Sequence, residues 1–262
     1  MRNVLVTGGS RGIGLAIARR LAASNDYNVI AVARRESEDL GRAIRETGAD
    51  RLHFRAFDLG QTDKIPAFVK ELRDAFGAIY GLANNAGIGT EGLLANMRNS
   101  EIEALIRLNV LSPIVLTKYV VRHMMADGAG RIVTISSIIA STGYNGLSVY
   151  AASKAAAGGF TRSLAREVGK LGITVNAIAP GFVDTELTRS LDDDGRRRIA
   201  GRSALRRLPE ADDVASMVEY LLGEGRPEYH RHRSDCGRRQ HRLMACDGGH
   251  ARPRGTPHFV PL

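Results

Sequence analysis

Residues 3–21 read NVLVTGGSRGIGLAIARRL. A short β-branched run stops in a cluster of glycines, and Ile13, Ile17, Ala18 and Leu21 then recur at helical spacing. A strand that turns through glycine straight into an amphipathic helix is the opening unit of an open α/β sheet. Further apolar runs follow at 28–34 (NVIAVAR), 52–59 (LHFRAFDL), 79–87 (IYGLANNAG), 130–137 (GRIVTISS) and 172–181 (GITVNAIAPG). Helical patterns lie between them, such as Ile65, Phe68, Val69 and Leu72. Strands alternating with helices imply one doubly wound parallel sheet with helices on both faces, spanning residues 1–225.

The composition fits a globular domain, with 44% hydrophobic and 25% charged residues. No basic segment leads into a long apolar stretch at the start, and no uninterrupted apolar run reaches membrane-spanning length, so a soluble cytoplasmic protein is expected. The net charge of +9 invites a nucleic-acid reading. From Arg226 onward there are eight Arg and three acidic residues, a net of +5, which leaves 29 basic against 25 acidic residues and only +4 upstream. Both cysteines, Cys236 and Cys246, also fall in that tail, so thiol chemistry and disulfides are excluded from the body.

Gly8, Gly12 and Gly14 are spaced G-x-x-x-G-x-G in the first turn, with Ser10, Arg11 and Ile13 among them. Such a turn brings backbone close to a pyrophosphate, and the helix that follows offers free N–H groups and a partial positive charge. A glycine cluster alone also fits a plain tight turn; its place between strand and helix favours a dinucleotide. At the end of the second strand, where an acidic residue would hold a free ribose 2′-hydroxyl, the chain has Ala33, then Arg34 and Arg35. Two arginines also cap a solvated strand end well. The missing acid favours a 2′-phosphate, hence NADPH rather than NADH.

Ser136 and Ser137 end the strand at 130–137, and Tyr150 and Lys154 lie four apart, on one face of an Ala-rich helix. Carbonyl reduction leaves an oxyanion that needs a hydrogen-bond donor and then a proton. A phenol titrates near 10, and a neighbouring ammonium lowers it by roughly one to three units. A lone Tyr-x-x-x-Lys is usually surface. Here it stands with Thr7–Gly14, NNAG at 84–87, LNV around Asn109, Ser137 thirteen residues before Tyr150, and Pro180-Gly181. Together these resemble the short-chain dehydrogenase/reductase family, in family order, over residues 3 to about 225.

The resemblance implies a Rossmann-like fold and a catalytic tetrad of Asn109, Ser137, Tyr150 and Lys154. In the family pattern Tyr150 is the acid/base and Ser137 orients the carbonyl. Lys154 holds the nicotinamide ribose and lowers the tyrosine pKa, and Asn109 keeps a water in a proton relay. Asp58 and Leu59 match the adenine-contacting turn, and Asn85, Ala86 and Gly87 the ribose-lining segment. Pro180, Gly181, Val183 and Thr185 match the residues that hold carboxamide and phosphates. Within the family, SRGIG, NVLSP and the run from Ser153 to Leu187 look most like bacterial 3-oxoacyl-[acyl-carrier-protein] reductases. These imply an NADPH-dependent step of fatty-acid synthesis, an acidic carrier partner and a homo-oligomer, dimer or tetramer. Gly128 and Leu171 stand where docking arginines are expected, with Arg131, Arg166 and Lys170 close by. A coenzyme A thioester, another small carbonyl or a secondary alcohol therefore stays open as substrate. A dinucleotide-binding regulator is the non-enzyme alternative, and the complete tetrad argues against it.

The tail, residues 226–262, departs from the family. A last apolar strand is expected there, whereas 226–242 read RPEYHRHRSDCGRRQHR, without apolar periodicity. Permitted codons for Glu228 to Met244, read one base later, spell Asn-Ile-Thr-Gly-Thr-Val-Leu-Thr-Val-Asp-Ala-Gly-Asn-Thr-Ala and then a stop. That is the strand expected at this place, so the tail reads as a frameshift product. A disordered tail and a missing or altered last strand follow, with the apolar face of Val214, Met217, Val218 and Leu221 losing a partner. His230, His232, Cys236, His241, Cys246 and His250 match no compact zinc spacing, and the arginines form no recognition element, so neither a metal nor specific nucleic-acid binding is expected.

Overall fold

The computed structural model of the chain describes residues 1–48, 50–183, 197, 200, 201 and 206–223, and the backbone of 233–236. The first half alternates β1 (Arg2–Thr7), α1 (Gly12–Ala23), β2 (Tyr27–Ala33), α2 (Glu38–Thr47), β3 (Leu52–Ala56), α3 (Ile65–Phe76) and β4 (Ile79–Asn84). The second half runs α4 (Asn99–Ile106), α5 (Ser112–Asp127), β5 (Gly130–Ile135), the short α6 (Ile139–Thr142), α7 (Ser148–Val168) and β6 (Ile173–Pro180). The helix at Ala211–Leu222, α8, and the strand β7 (Arg233–Cys236) complete the described elements. The sheet order is β3-β2-β1-β4-β5-β6-β7, and every pairing is parallel. The order reverses between β1 and β4, and the crevice above that reversal is where such sheets bind ligands.

Alternation along the strands feeds two cores. Val4, Val6, Val29, Ala31 and Val133 face α1, α2 and α8, where Ile17, Leu21 and Leu40 are fully buried. Leu5, Ile30, Val32, Leu82 and Ile132 face α3, α5 and α7, against Leu72, Leu116 and Leu164. A strand covered on both sides must be apolar at successive positions, which is why these runs are nearly continuous in the sequence.

Three expectations are refined at this level. The seventh strand position is taken, by Arg233–Cys236 paired with Ala177–Pro180, so the last strand is altered rather than missing. The rest of the tail that was expected to be disordered lies outside the described residues. Val214, Val218 and Leu221 keep their partner: they are at most 2% exposed, with Met217 packed beside them, because α8 lies on α1 and the faces of β5 and β6 rather than on β7. Finally, Asn99–Asp127 runs as one 29-residue helical stretch that by length and composition alone is apolar enough to cross a membrane. Counting uninterrupted apolar runs misses it because single polar residues break the pattern. Its inner face, Leu105, Leu116, Val120 and Met124, is buried in the domain.

Candidate active site

The site is built on the C-terminal ends of β1, β4, β5 and β6. After β1 the chain turns at Gly8, whose φ of +66° is a left-handed conformation that favours glycine. A Cβ on Gly14 would sit 2.1 Å from the Gly8 carbonyl oxygen, so the first turn of α1 passes the loop at a distance only glycine permits. Gly8 N–H donates to Val32 O (2.8 Å), which brings the end of β2 beside the loop. Ala33 leads there to Arg34 and Arg35, both exposed, with exposed Arg11 at the start of α1. Ser37 caps α2 and donates from its hydroxyl to Ser10 O, fixing the loop from the far side. No acidic residue occupies the first turn of α1, at the positive end of that helix.

Thr7 joins this loop to the end of β4. Its hydroxyl accepts from Asn85 N–H (2.9 Å) and Ala86 N–H (3.0 Å), while the Asn85 side-chain amide donates to Thr7 O (3.0 Å). Gly87 comes close to the tetrad: a Cβ there would lie 3.1 Å from Asn109 Oδ1 and 3.6 Å from Lys154 Nζ. Asp58 accepts from Gly60 N–H (3.0 Å) and closes the turn after β3, with Leu59 buried beneath.

Asn109 sits in a wide, π-type turn, Arg107–Leu111, between α4 and α5. Insertions of this kind recur at functional sites. Pro113 has no N–H to give the Asn109 carbonyl, which removes the α-helical bond that would otherwise tighten this turn. The Ser112 hydroxyl lies 2.8 Å from Arg107 O and 2.6 Å from Leu59 O and ties the turn to the loop after β3. The Asn109 amide exchanges two hydrogen bonds with the Ile88 backbone (2.9 and 2.8 Å) and donates to Ser153 Oγ (3.2 Å). It therefore locks the loop after β4 to α7.

Ser137 is buried just past the end of β5, beside the Tyr150 phenol, and its hydroxyl accepts from Ile139 N–H (3.3 Å). Lys154 Nζ donates to Ile135 O (3.0 Å) and lies 5.7 Å from the centre of the Tyr150 ring, while Ser136 Oγ donates to Lys154 O (2.8 Å). Desolvation pulls the Lys154 ammonium down to about 8. The expected lowering of the tyrosine pKa is not what this geometry gives. Burial pushes the Tyr150 phenol up, and only the Ser137 hydroxyl pulls the other way. An ammonium whose own charge is disfavoured by desolvation, held over the ring by a carbonyl and 5.7 Å from its centre, does not offset the loss of water around the phenol.

The structure thus brings Asn109, Ser137, Tyr150 and Lys154 together with Gly8–Gly14, Asn85–Gly87, Pro180, Gly181 and Val183, and sets Arg34 and the Asp58–Leu59 turn beside them. Thr185 lies outside the described residues, as do the tail's histidines. Among the described residues no three His, Cys, Asp or Glu converge on a metal site. Thr7, Ser37, Ser136 and Ser153 position this site, roles that the sequence reading did not give them, since each meets a partner distant in sequence. Of the expected docking residues, Arg131 is engaged locally: it donates to Gly130 O and Gly172 O and lies 5.6 Å over the Tyr80 ring.

A strand–glycine–helix cradle beside a Ser–Tyr–Lys cluster defines an oxidoreductase of the short-chain dehydrogenase class. The short chain dehydrogenase family model matches residues 2–196, and the chain belongs to that family. It is 40% identical over 228 residues to 3-oxoacyl-[acyl-carrier-protein] reductase FabG of Escherichia coli (strain K12), covering 84% of this chain and 89% of that one. The protein of the same name in Pseudomonas aeruginosa is 36% identical over 222 residues, covering 84% and 90%. Among solved structures, levodione reductase superposes with a TM-score of 0.84 at 29% identity, covering 90% of this chain and 96% of that one. A short chain dehydrogenase from Burkholderia cenocepacia J2315 in complex with NADP gives 0.81 at 34% identity, with the same coverage.

Proposed function

We propose that this chain reduces a 3-oxoacyl thioester to the 3-hydroxyacyl thioester with NADPH, as a cytoplasmic step of fatty-acid synthesis. The observation that carries the reading is the Ser137–Tyr150–Lys154 cluster beside a dinucleotide cradle, in a chain 40% identical to a 3-oxoacyl-[acyl-carrier-protein] reductase. The residues present fit the cofactor. Gly8, Ser10, Arg11, Gly12, Ile13 and Gly14 would hold the pyrophosphate at the start of α1, and Arg34, with Arg35 and Arg11, the 2′-phosphate. Asp58 and Leu59 would border the adenine, Asn85, Ala86 and Gly87 the ribose, and Tyr150 and Lys154 the nicotinamide ribose. Pro180, Gly181, Val183 and Thr185 would meet the carboxamide and phosphates.

When bound, NADPH supplies the hydride for the carbonyl carbon. Ser137 and Tyr150 hydroxyls orient the carbonyl oxygen, and the Tyr150 phenol gives its proton to the alkoxide as charge develops there. A phenol raised by burial stays protonated at neutral pH, the state that reduction needs of an acid. Lys154 places a positive charge beneath the ring, and Asn109 holds the Ile88 and Ser153 walls in place. NADPH oxidation by the purified chain with acetoacetyl-coenzyme A, beside NADH, tests the assignment.

The carrier is the point at which a second reading has its own support. With Arg131 tied down and Gly128 and Leu171 nearby, exposed Arg166 and Lys170 are left to meet an acidic carrier. A coenzyme A thioester or another small carbonyl fits this face as well, and relative rates on carrier and coenzyme A substrates separate the two. Exposed Ile106, Leu111, Ile114 and Met125 give the α4–α5 stretch an apolar outer face, which supports a homo-oligomer, dimer or tetramer. We also infer that residues from about Arg226 arise from a frameshift; the nucleotide sequence over codons 226–244 decides this.

A further inference from the structure

The loops after β4, β5 and β6 are joined to one another where they pass the catalytic tyrosine. Ile138 N–H donates to Pro180 O (3.0 Å), and Gly92 N–H donates to Gly146 O (2.9 Å). Between these ties Tyr144 stands on a turn bracketed by two left-handed glycines, Gly143 (φ +67°) and Gly146 (φ +77°). Leu147 N–H donates to Tyr144 O (3.2 Å), and Leu147 O accepts from Ala151 N–H (2.7 Å), so the turn runs rigidly into the first turn of α7, which carries Tyr150. The Tyr144 ring meets Phe182 edge-on, with centroids 5.7 Å apart and planes at 62°. Both residues are half-buried.

This wall has a distinct chemistry. No charged residue occurs from Ile138 to Leu147 or from Gly181 to Val183, and Leu93 and Leu94, directly after Gly92, are more than half exposed. Glu91 is the one charge on the adjoining segment from Ile88 to Leu94, and it is exposed. A carbonyl held by Ser137 and Tyr150 presents two substituents. A thioester arm carries polar amides and an anionic or protein end, whereas the other substituent of a 3-oxoacyl group is hydrocarbon. We propose that Tyr144 and Phe182 form the wall against which the acyl chain packs, so that this aromatic pair sets a preference for 3-oxoacyl thioesters longer than four carbons. The proposal rests on the thioester reading above. Edge-on aromatic contact holds the two rings as one unit, and either truncation lets the other collapse into the space.

The test compares kcat/KM for acetoacetyl-coenzyme A and 3-oxooctanoyl-coenzyme A at saturating NADPH, in the full chain and in Tyr144→Ala, Phe182→Ala, the double variant and Tyr144→Phe. Four methylenes leaving water against the wall favour the longer substrate, and either alanine variant lowers the eight-to-four-carbon ratio about tenfold or more. Acetoacetyl turnover changes by less than about threefold, Tyr144→Phe keeps the ratio, and the double variant falls no further than either single one. An unchanged ratio in both alanine variants overturns the wall, as does a rise for the longer substrate, which would make the pair a stop. Equal loss on both substrates, with NADPH affinity intact, assigns the pair a structural role and overturns it too. A folded wild-type chain that binds NADPH but reduces neither thioester overturns the thioester reading itself, and this inference with it.

Discussion

The centre of the sheet and its β7 edge are held together by different means. At the centre, around β1, β4 and β5, side chains clamp one backbone to another: Thr7 to Asn85 and Ala86, Asn109 to Ile88, Ser136 to Lys154. At the edge, Arg233–Cys236 completes the ladder along Ala177–Pro180 with a sequence, Arg-Ser-Asp-Cys, that has none of the apolar continuity of the other strands. β6 itself is buried along its whole length. Backbone pairing fills an edge position with almost any residues, whereas a site needs particular atoms at particular spacings. The proposed chemistry lies in the clamped centre, and the edge bears on stability.

The contrast breaks most visibly at Tyr150. Tyr150→Phe lowers turnover about a thousandfold while NADPH affinity, measured by fluorescence titration, stays within a few-fold. A variant that retained activity would remove the centre's claim to the chemistry. Gly14→Ala comes next, since its new methyl meets the Gly8 carbonyl oxygen. The overpacking costs about 1–3 kcal/mol and weakens NADPH binding about tenfold or more, read by the same titration. Thr7→Val leaves two backbone N–H groups at the end of β4 without their acceptor and destabilises by about 1–3 kcal/mol, whereas Thr7→Ser retains most of the stability in urea melts.

The edge is sharpened by replacing residues 228–262 with the fifteen-residue sequence of the shifted frame. Restored cross-strand pairs contribute about 1–2 kcal/mol, read as a rise of several degrees in Tm, with kcat on any reduced substrate nearly unchanged. A large gain in kcat instead would place the edge inside the catalytic account. A further effect is electrostatic and is read only as a pH dependence. Lys154 has its pKa lowered from 10.5 to about 8 by burial, so between those values the unfolded chain binds more protons than the folded one. Stability therefore rises from pH 8 towards 10.5, and Lys154→Met removes that rise in pH-dependent urea melts.

Much of this was legible in the sequence, for a physical reason. Gly8 and Gly14 declare a close backbone approach, and the spacing of Ser137, Tyr150 and Lys154 marks them for one cluster, because few other residues serve at those spacings. The clamps were not legible. Thr7 between Val6 and Gly8 looks like an ordinary strand residue until the end of β4 arrives beside it. Ser153 becomes visible only once Asn109 crosses to α7. The rise in the Tyr150 pKa depends on burial, which no local pattern reports, and the packing of Val214 and Val218 depends on which side of the sheet α8 takes. The Tyr144–Phe182 contact joins loops 38 residues apart and is likewise a product of topology.

The central claim is that the clamped centre is a working NADPH-dependent reductase whatever the edge contains. Its most direct test is the oxidation of NADPH, and separately of NADH, by the purified chain in the presence of acetoacetyl-coenzyme A. Rapid loss of NADPH absorbance with little loss of NADH is the predicted result. A folded chain that binds NADPH yet leaves it unoxidised, or one that prefers NADH, would contradict the account.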